Sequence, residues 1–116
     1  MSYCIGIYVK VEGCDKYAEI AYPSYSSPSY NLGKLFRSCM NWNFKLGEYY
    51  RCDHAIEHLD VGIMELTYKP NTYAKLIPAS SIGTTFGALN ILDSTRDCIL
   101  EQAEEIPLKC MYMRWE

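Results

Sequence analysis

The chain has 116 residues, of which 49% are hydrophobic and 22% are charged, and its formal net charge is −3. This length and composition predict a single domain over residues 1–116 and exclude a fibrous repeat or wholesale disorder. The acidic balance argues against a general nucleic-acid binder, and no apolar run approaches the length of a membrane-spanning helix. Because the first residues also lack the features of a signal peptide, we expect a cytoplasmic protein that does not enter the membrane.

The chain opens with two predicted strands. Residues 3–11, YCIGIYVKV, alternate in the pattern of a half-buried strand. The sequence EGCD that follows has the composition of a turn, in which Gly13 can adopt a positive φ. Residues 16–22, KYAEIAY, then predict a second strand that runs back beside the first. We therefore expect an N-terminal β-hairpin.

The pattern changes to a helical period from Leu32 onward. The first helix is predicted to begin there, with Asn31 or Ser29 as the residue that caps it. The sequence NWNFKLGEYYRC, residues 41–52, is interpreted as an aromatic connection to the next helix.

Three further helical segments follow this connection. The second helix is predicted to begin with Asp53 as its cap and to continue to about Leu66. A short helical turn is predicted within residues 71–76, and the last helix is predicted from about Thr85 to Glu104.

Residues 108–115, LKCMYMRW, alternate and predict a final strand beside the first one. Strands at both ends with helices between them fit an antiparallel or mixed sheet, formed by the N-terminal hairpin and the C-terminal strand. About three helices would pack on one face of this sheet. The predicted fold class is α+β.

The sequence contains no motif that identifies a catalytic, metal or cofactor site. The sequence HAIEH resembles an inverted zincin motif, but the helical period places His54 and His58 opposite the apolar stripe, facing solvent. The sequence has only two histidines that could act as the base for any of its six cysteines. No two cysteines have the spacing of a zinc knuckle or redox motif. We expect reduced, mostly buried thiols, with no catalytic residue, metal site or cofactor.

The segment YPSYSSPSYNLGKLFR, residues 22–37, carries the main functional hypothesis. It concentrates hydroxyl groups ahead of a helix start, where unpaired N–H groups favour an anion, and it adds two cations three residues apart. We predict a phosphate site there, with aromatic side chains stacking on a base. The phosphate-binding set is Ser27, Ser29, Tyr30, Asn31, Lys34 and Arg37, and the aromatic set is Tyr25, Trp42, Tyr49 and Tyr50. The alternative is a well-packed turn next to a solvated helix face.

Two longer stretches carry a resemblance. SPSYNLGKLFRSCMNWNFKLGEYYRCDHAIEHLDVGIMEL and the ending CILEQAEEIPLKCMYMRWE are similar to a family of small phage and prophage proteins of gut Firmicutes. The resemblance implies a provenance in an infected bacterial cell, where small accessory proteins without catalytic residues often counter host defences. Such proteins sequester a nucleotide immune signal, commonly as homo-oligomers, or block a host protein.

The leading hypothesis is therefore a non-enzymatic anti-defence protein that captures a small phosphorylated nucleotide. The first alternative is a protein–protein inhibitor of a host defence complex, such as an anti-CRISPR, that acts through an aromatic surface. A hydrolase that cleaves the nucleotide signal is the second alternative.

Overall fold

The computed structural model describes residues 5–13, 15–23, 32–76 and 85–116. Within these ranges the strands are β1 (Ile5–Lys10), β2 (Tyr17–Ala21), β3 (Tyr49–Arg51) and β4 (Met111–Trp115). The α-helices are α1 (Leu32–Cys39), α2 (Cys52–Tyr68), α3 (Pro70–Tyr73) and α4 (Thr85–Gln102). Two short 3₁₀ turns, Ala74–Leu76 and Leu108–Cys110, follow α3 and precede β4. The predicted caps Ser29 and Asn31 lie outside the described residues.

The strands form one antiparallel sheet in the order β2-β1-β4-β3. β4 pairs with β1, with Ile7 opposite Met113 and Tyr8 opposite Tyr112. The predicted α+β class, the N-terminal hairpin and the position of the C-terminal strand are confirmed. Gly13 has the positive φ that its turn requires, at 81°.

The aromatic connection predicted over residues 41–52 is wrong in one respect, because it contains the edge strand β3. Tyr49 pairs with Arg114 and Arg51 pairs with Tyr112 of β4. Three residues are too few to show an alternating pattern, so only pairing with β4 identifies this strand.

The hydrophobic core lies between the helices and one face of the sheet. This face presents Ile5 and Ile7 from β1 and the alternate residues of β4, all at most 3% exposed. The side chains that the helices contribute are fully buried, and each contributes about 1.5 to 3 kcal/mol by leaving water. They include Leu35, Phe36, Leu59, Leu66, Ile91, Leu92 and Ile99.

The start of α2 differs from the predicted cap. Arg51 holds the N-cap position because β3 runs directly into the helix, and Asp53 lies in the first turn. There Asp53 accepts a hydrogen bond from the backbone N–H of His54 at 3.0 Å and forms an ion pair with Arg51. An acidic side chain in the first turn still favours the helix through its dipole.

The opposite face of the sheet carries a layer of tyrosines, described below, and the described helices pack on the other side. None of the helices in residues 5–13, 15–23, 32–76 and 85–116 combines the length and apolar character needed to cross a bilayer.

Candidate functional site

The exposed face of α1 presents residues from the predicted site, and its C-terminus is built as a left-handed cap. Asn41 has φ 50°, and its N–H donates to the Ser38 carbonyl at 3.2 Å. The N–H of Trp42 donates to the carbonyl of Arg37 at 3.0 Å, which completes a Schellman motif. Asparagine tolerates this backbone conformation better than most residues do. The cap therefore turns the chain so that Trp42 lies next to the helix it follows.

Arg37 is held by the loop after α1. Its Nε donates to the Phe44 carbonyl at 2.8 Å, and the guanidinium carbon lies 4.4 Å from the centroid of the Phe44 ring. Phe44 is buried and stacks on Trp115 with a centroid separation of 4.4 Å. Lys34, one turn earlier on α1, is exposed and forms no ion pair with any carboxylate in the described ranges.

The indole of Trp42 is fixed between aromatic neighbours. It stacks on His58 with ring centroids 4.6 Å apart and an angle of 8° between the rings, and it meets Phe44 and Tyr50 edge to face. Nδ1 of His58 lies 3.2 Å from the carbonyl oxygen of Met40. Packing of this kind holds the Trp42 ring in one orientation.

His58 is only partly exposed, because Trp42 covers one face of its ring, so the prediction that it faces solvent holds only in part. The helical period of α2 could not reveal that the chain after α1 returns to cover this position with Trp42. The prediction for His54 is confirmed, since its side chain is 67% exposed. The described residues contain no group of three or more His, Cys, Asp or Glu side chains arranged to hold a metal ion.

An open hollow of about 490 Å³ lies beside α1. Its lining combines cations, amides, a hydroxyl and an indole, and the described lining residues include no carboxylate. They are Lys34, Arg37, Ser38, Asn41, Trp42 and Asn43. Such a lining offers several hydrogen-bond donors to an anion, two of them charged. We refer to it as the α1 hollow.

A larger hollow of about 710 Å³ lies along α4, and its electrostatic character is the opposite. Four carboxylates line it, those of Asp93, Asp97, Glu101 and Glu104. Fixed negative charges at this density repel a phosphate. Of these two hollows, only the α1 hollow suits an anionic ligand.

The residues of the predicted site fall into three groups. Lys34, Arg37 and Trp42 line the α1 hollow together. Tyr50 does not line it but contacts the Trp42 ring edge to face. Tyr49 points to the other face of the sheet, because successive strand residues alternate, and it is not part of the hollow. The remaining predicted residues lie outside the described ranges: Tyr25, Ser27, Ser29, Tyr30 and Asn31.

Sequence reasoning missed Ser38, Asn41 and Asn43 as neighbours of the site. The spacing of Lys34, Arg37, Ser38 and Asn41 is i, i+3, i+4, i+7, which identifies one polar face of a helix. That signal was available in the sequence. The sequence gives no such signal for Asn43, which reaches the same hollow because the loop after α1 folds back.

The outer face of the sheet carries the tyrosine layer, which consists of Tyr8, Tyr17, Tyr49 and Tyr112. Tyr17 stacks on Tyr49 with centroids 3.7 Å apart, and Tyr8 and Tyr112 meet this pair edge to face at 5.1 Å. Arg114 donates a hydrogen bond to the Tyr49 hydroxyl at 3.0 Å. The layer thus gives four of the eleven tyrosines a packing role on the outer face of the sheet.

Tyr8 shows how closely this layer is packed. It is 7% exposed, and its hydroxyl donates to the Glu116 carboxylate at 2.9 Å. Burial, followed by this hydrogen bond, raises the pKa of Tyr8 to about 12. The phenol therefore stays neutral at physiological pH.

The described cysteines do not resemble catalytic thiols. Cys39, Cys52 and Cys98 are buried, Cys110 is exposed, and none of the four forms a disulfide. Burial raises the pKa of Cys39 and of Cys52 to about 12, so neither forms a thiolate readily. The prediction of mostly buried thiols is confirmed for Cys39, Cys52 and Cys98, and Cys4 and Cys14 lie outside the described residues.

Comparisons of this chain with protein-family models, curated proteins and solved structures found no match.

Proposed function

We propose that the protein binds a small phosphorylated nucleotide in the α1 hollow and sequesters it without chemical conversion. The observation that carries this proposal is the composition of the lining. Its described residues include two cations and two amides but no carboxylate, although the whole chain has a net charge of −3. Stoichiometric capture fits the resemblance to small phage and prophage proteins, which motivates a role against a host defence signal.

The layout of the hollow favours one orientation of the ligand. Lys34 lies in the first turn of α1, whereas Arg37 lies in its last turn, where backbone carbonyls disfavour an anion. The phosphate would therefore contact mainly Lys34, and the Arg37 guanidinium would offset the carbonyls beside it. The base would lie towards Trp42, where Asn41 and Asn43 offer amide groups to its polar edge.

The first experiment is a thermal-shift and calorimetry screen of AMP, ADP-ribose and cyclic dinucleotides. Adenosine and inorganic phosphate serve as separate controls for the base and the anion. A ligand at about 100 times its Kd stabilises the folded protein by about 2.7 kcal/mol, which is readily visible as a raised Tm. Absence of any shift across the panel at millimolar concentration would reject nucleotide capture.

Lys34→Ala is the decisive variant, because Arg37 also holds the loop through Phe44. We expect Lys34→Ala to weaken nucleotide binding about tenfold, the loss of one charge-assisted contact, with unchanged Tm in the absence of ligand. Lys16→Ala, which removes an equal charge from an exposed position outside the hollow, should leave the affinity unchanged. Equal affinities of the two variants would contradict the assignment of the site.

Recovery of the ligand separates capture from hydrolysis. Nucleotide released by denaturing the complex should have its original mass, because the described lining residues include no cysteine, histidine or carboxylate to act as a nucleophile or general base. Cleaved product would establish the hydrolase instead.

The protein–protein inhibitor is a second candidate, and the tyrosine layer is the observation that favours it. Tyr and Arg are enriched in the energetically important parts of protein interfaces, and the outer face combines Tyr17, Tyr112 and Arg114. Replacing Tyr112 by alanine would weaken partner binding in that case and leave nucleotide affinity unchanged.

A further inference from the structure

Helix α2 carries three large apolar side chains on the face that points away from the core. Val61, Met64 and Tyr68 are 42%, 57% and 78% exposed. We call these residues the α2 stripe. Their spacing places them along one line of the helix, opposite the buried Leu59 and Leu66. No described element of the chain covers this stripe, and contiguous apolar surface of this kind marks interaction sites.

We propose that the α2 stripe is the contact between two copies of this chain, whose α2 helices pack antiparallel about a twofold axis near Met64. A twofold contact uses the same patch on both copies, so the patch must be complementary to itself. The stripe meets this condition, because Met64 lies between Val61 and Tyr68. In this register Val61 lies opposite the partner's Tyr68, and Met64 packs near the partner's Met64.

The charges beside the stripe determine the direction of the two helices. Glu57 lies one turn before Val61 on the same face, and Lys69 directly follows the helix. A parallel pair would place Glu57 opposite the partner's Glu57 and Lys69 opposite the partner's Lys69, and such like-charge contacts are unfavourable. An antiparallel pair instead brings Glu57 within about one turn of the partner's Lys69, where opposite charges attract.

Lys69 remains available for this contact despite its neighbour. It forms an i,i+4 ion pair with Glu65 at 3.3 Å, but its side chain is 63% exposed. Glu65 lies beside the stripe, one turn after Val61, and it keeps a hydrogen bond from the Tyr73 hydroxyl at 2.7 Å when Lys69 turns to the partner. Ion pairs at such positions are weak and exchange partners at little cost. The charge pattern therefore favours a second copy as the occupant of the stripe.

The proposal is independent of nucleotide capture. The α2 stripe shares no residue with the lining of the α1 hollow. A nucleotide-free protein should dimerise, and a protein that fails to bind any nucleotide should dimerise equally well.

Sedimentation velocity over about 10 to about 500 μM, a range that covers weak dimers, tests the proposal. We expect a concentration-dependent dimer for the parent protein. Val61→Glu combined with Met64→Glu should raise the dimer dissociation constant by about tenfold or more, because it places four carboxylates in the contact. Leu46→Glu, at a similarly exposed position of 48% in a loop, should leave the dimer intact.

Two results would overturn the proposal. If the parent protein stays monomeric over the whole concentration range, the α2 stripe binds a different protein and not a second copy of this chain. A dimer that persists in the folded double variant, as judged by circular dichroism, must use another surface.

Cross-linking tests the antiparallel register directly. Val61→Cys and Tyr68→Cys chains are prepared separately with Cys4, Cys14 and Cys110 replaced by serine, then mixed and oxidised. The antiparallel register predicts mainly a disulfide between the two different chains. Efficient cross-linking of either chain with itself would indicate a parallel pair and contradict the proposal.

Discussion

Gly62 is the residue whose size matters most for the packing of α2. A Cβ atom added at this position would lie 2.5 Å from Cγ of Met40 and 3.0 Å from Cδ1 of Leu92. Both neighbours are completely buried, so neither can move aside without disturbing the core. Glycine thus allows α2 to approach the end of α1 and the side of α4 at the same point.

We expect Gly62→Ala to lower the free energy of unfolding by about 1 to 3 kcal/mol, because the overpacked core outweighs the higher helix propensity of alanine. Urea denaturation monitored by circular dichroism measures this change. Thr67→Ala, at an exposed position of the same helix, is the control and should change stability by about 0.5 kcal/mol or less. Unchanged or increased stability of Gly62→Ala would show that the helices are not in close contact there.

At the residue scale, sequence reasoning succeeded where the cause is local. The positive φ of Gly13 follows from turn chemistry within four residues. It was incomplete at His58, because one face of that ring is covered by Trp42, sixteen positions away in the chain. A helical period describes where a side chain points but not which distant segment meets it.

At the scale of secondary-structure elements, the tyrosine layer connects strands that are not neighbours. Tyr17 belongs to β2 and Tyr49 to β3, and these are the two edge strands of the sheet. Their rings stack at 3.7 Å across β1 and β4. The layer therefore resists separation of the sheet edges in addition to the backbone hydrogen bonds.

A double-mutant cycle on Tyr17→Ala and Tyr49→Ala should give a coupling energy of about 0.5 to 1.5 kcal/mol, the range for stacked aromatic pairs. Free energies of unfolding from urea titrations of the four proteins supply the measurement. A control cycle on Tyr17→Ala and Tyr68→Ala is measured at low protein concentration. In this cycle the two changes in the free energy of unfolding should be additive. Additivity of the Tyr17 and Tyr49 changes would refute the stacked contact.

For the whole molecule, the buried thiols connect stability to alkaline pH. The ordinary thiol pKa is 9.0, and burial raises it to about 12 for Cys39 and for Cys52. Between these values the unfolded chain has lost protons that the folded protein retains. Stability therefore falls with rising pH in this interval, and the contribution of the two thiols is complete only below pH 9.

We expect the urea midpoint to decrease as the pH rises above about 9, and the decrease to be smaller for Cys39→Ala combined with Cys52→Ala. The double variant loses core volume and is less stable at every pH, so the pH dependence is the relevant quantity. An identical dependence in both proteins would mean that the thiols are not the source. Cys110→Ala, which changes an exposed thiol, should leave the dependence unaltered.

The sequence by itself determined the α+β class, the hairpin, the helices and the pairing of the last strand with the first. These features follow from periodicity and turn residues, which act over short distances along the chain. It also identified Lys34, Arg37 and Trp42 as neighbours in one candidate site.

Only the tertiary structure decided which faces meet. It placed Tyr49 and Tyr50 on opposite sides of the sheet, revealed β3 through its pairing with β4, and brought Asn43 to the α1 hollow. These outcomes depend on contacts between segments that are distant in sequence. The local sequence pattern cannot predict these contacts, because the burial of a side chain depends on how the whole core assembles.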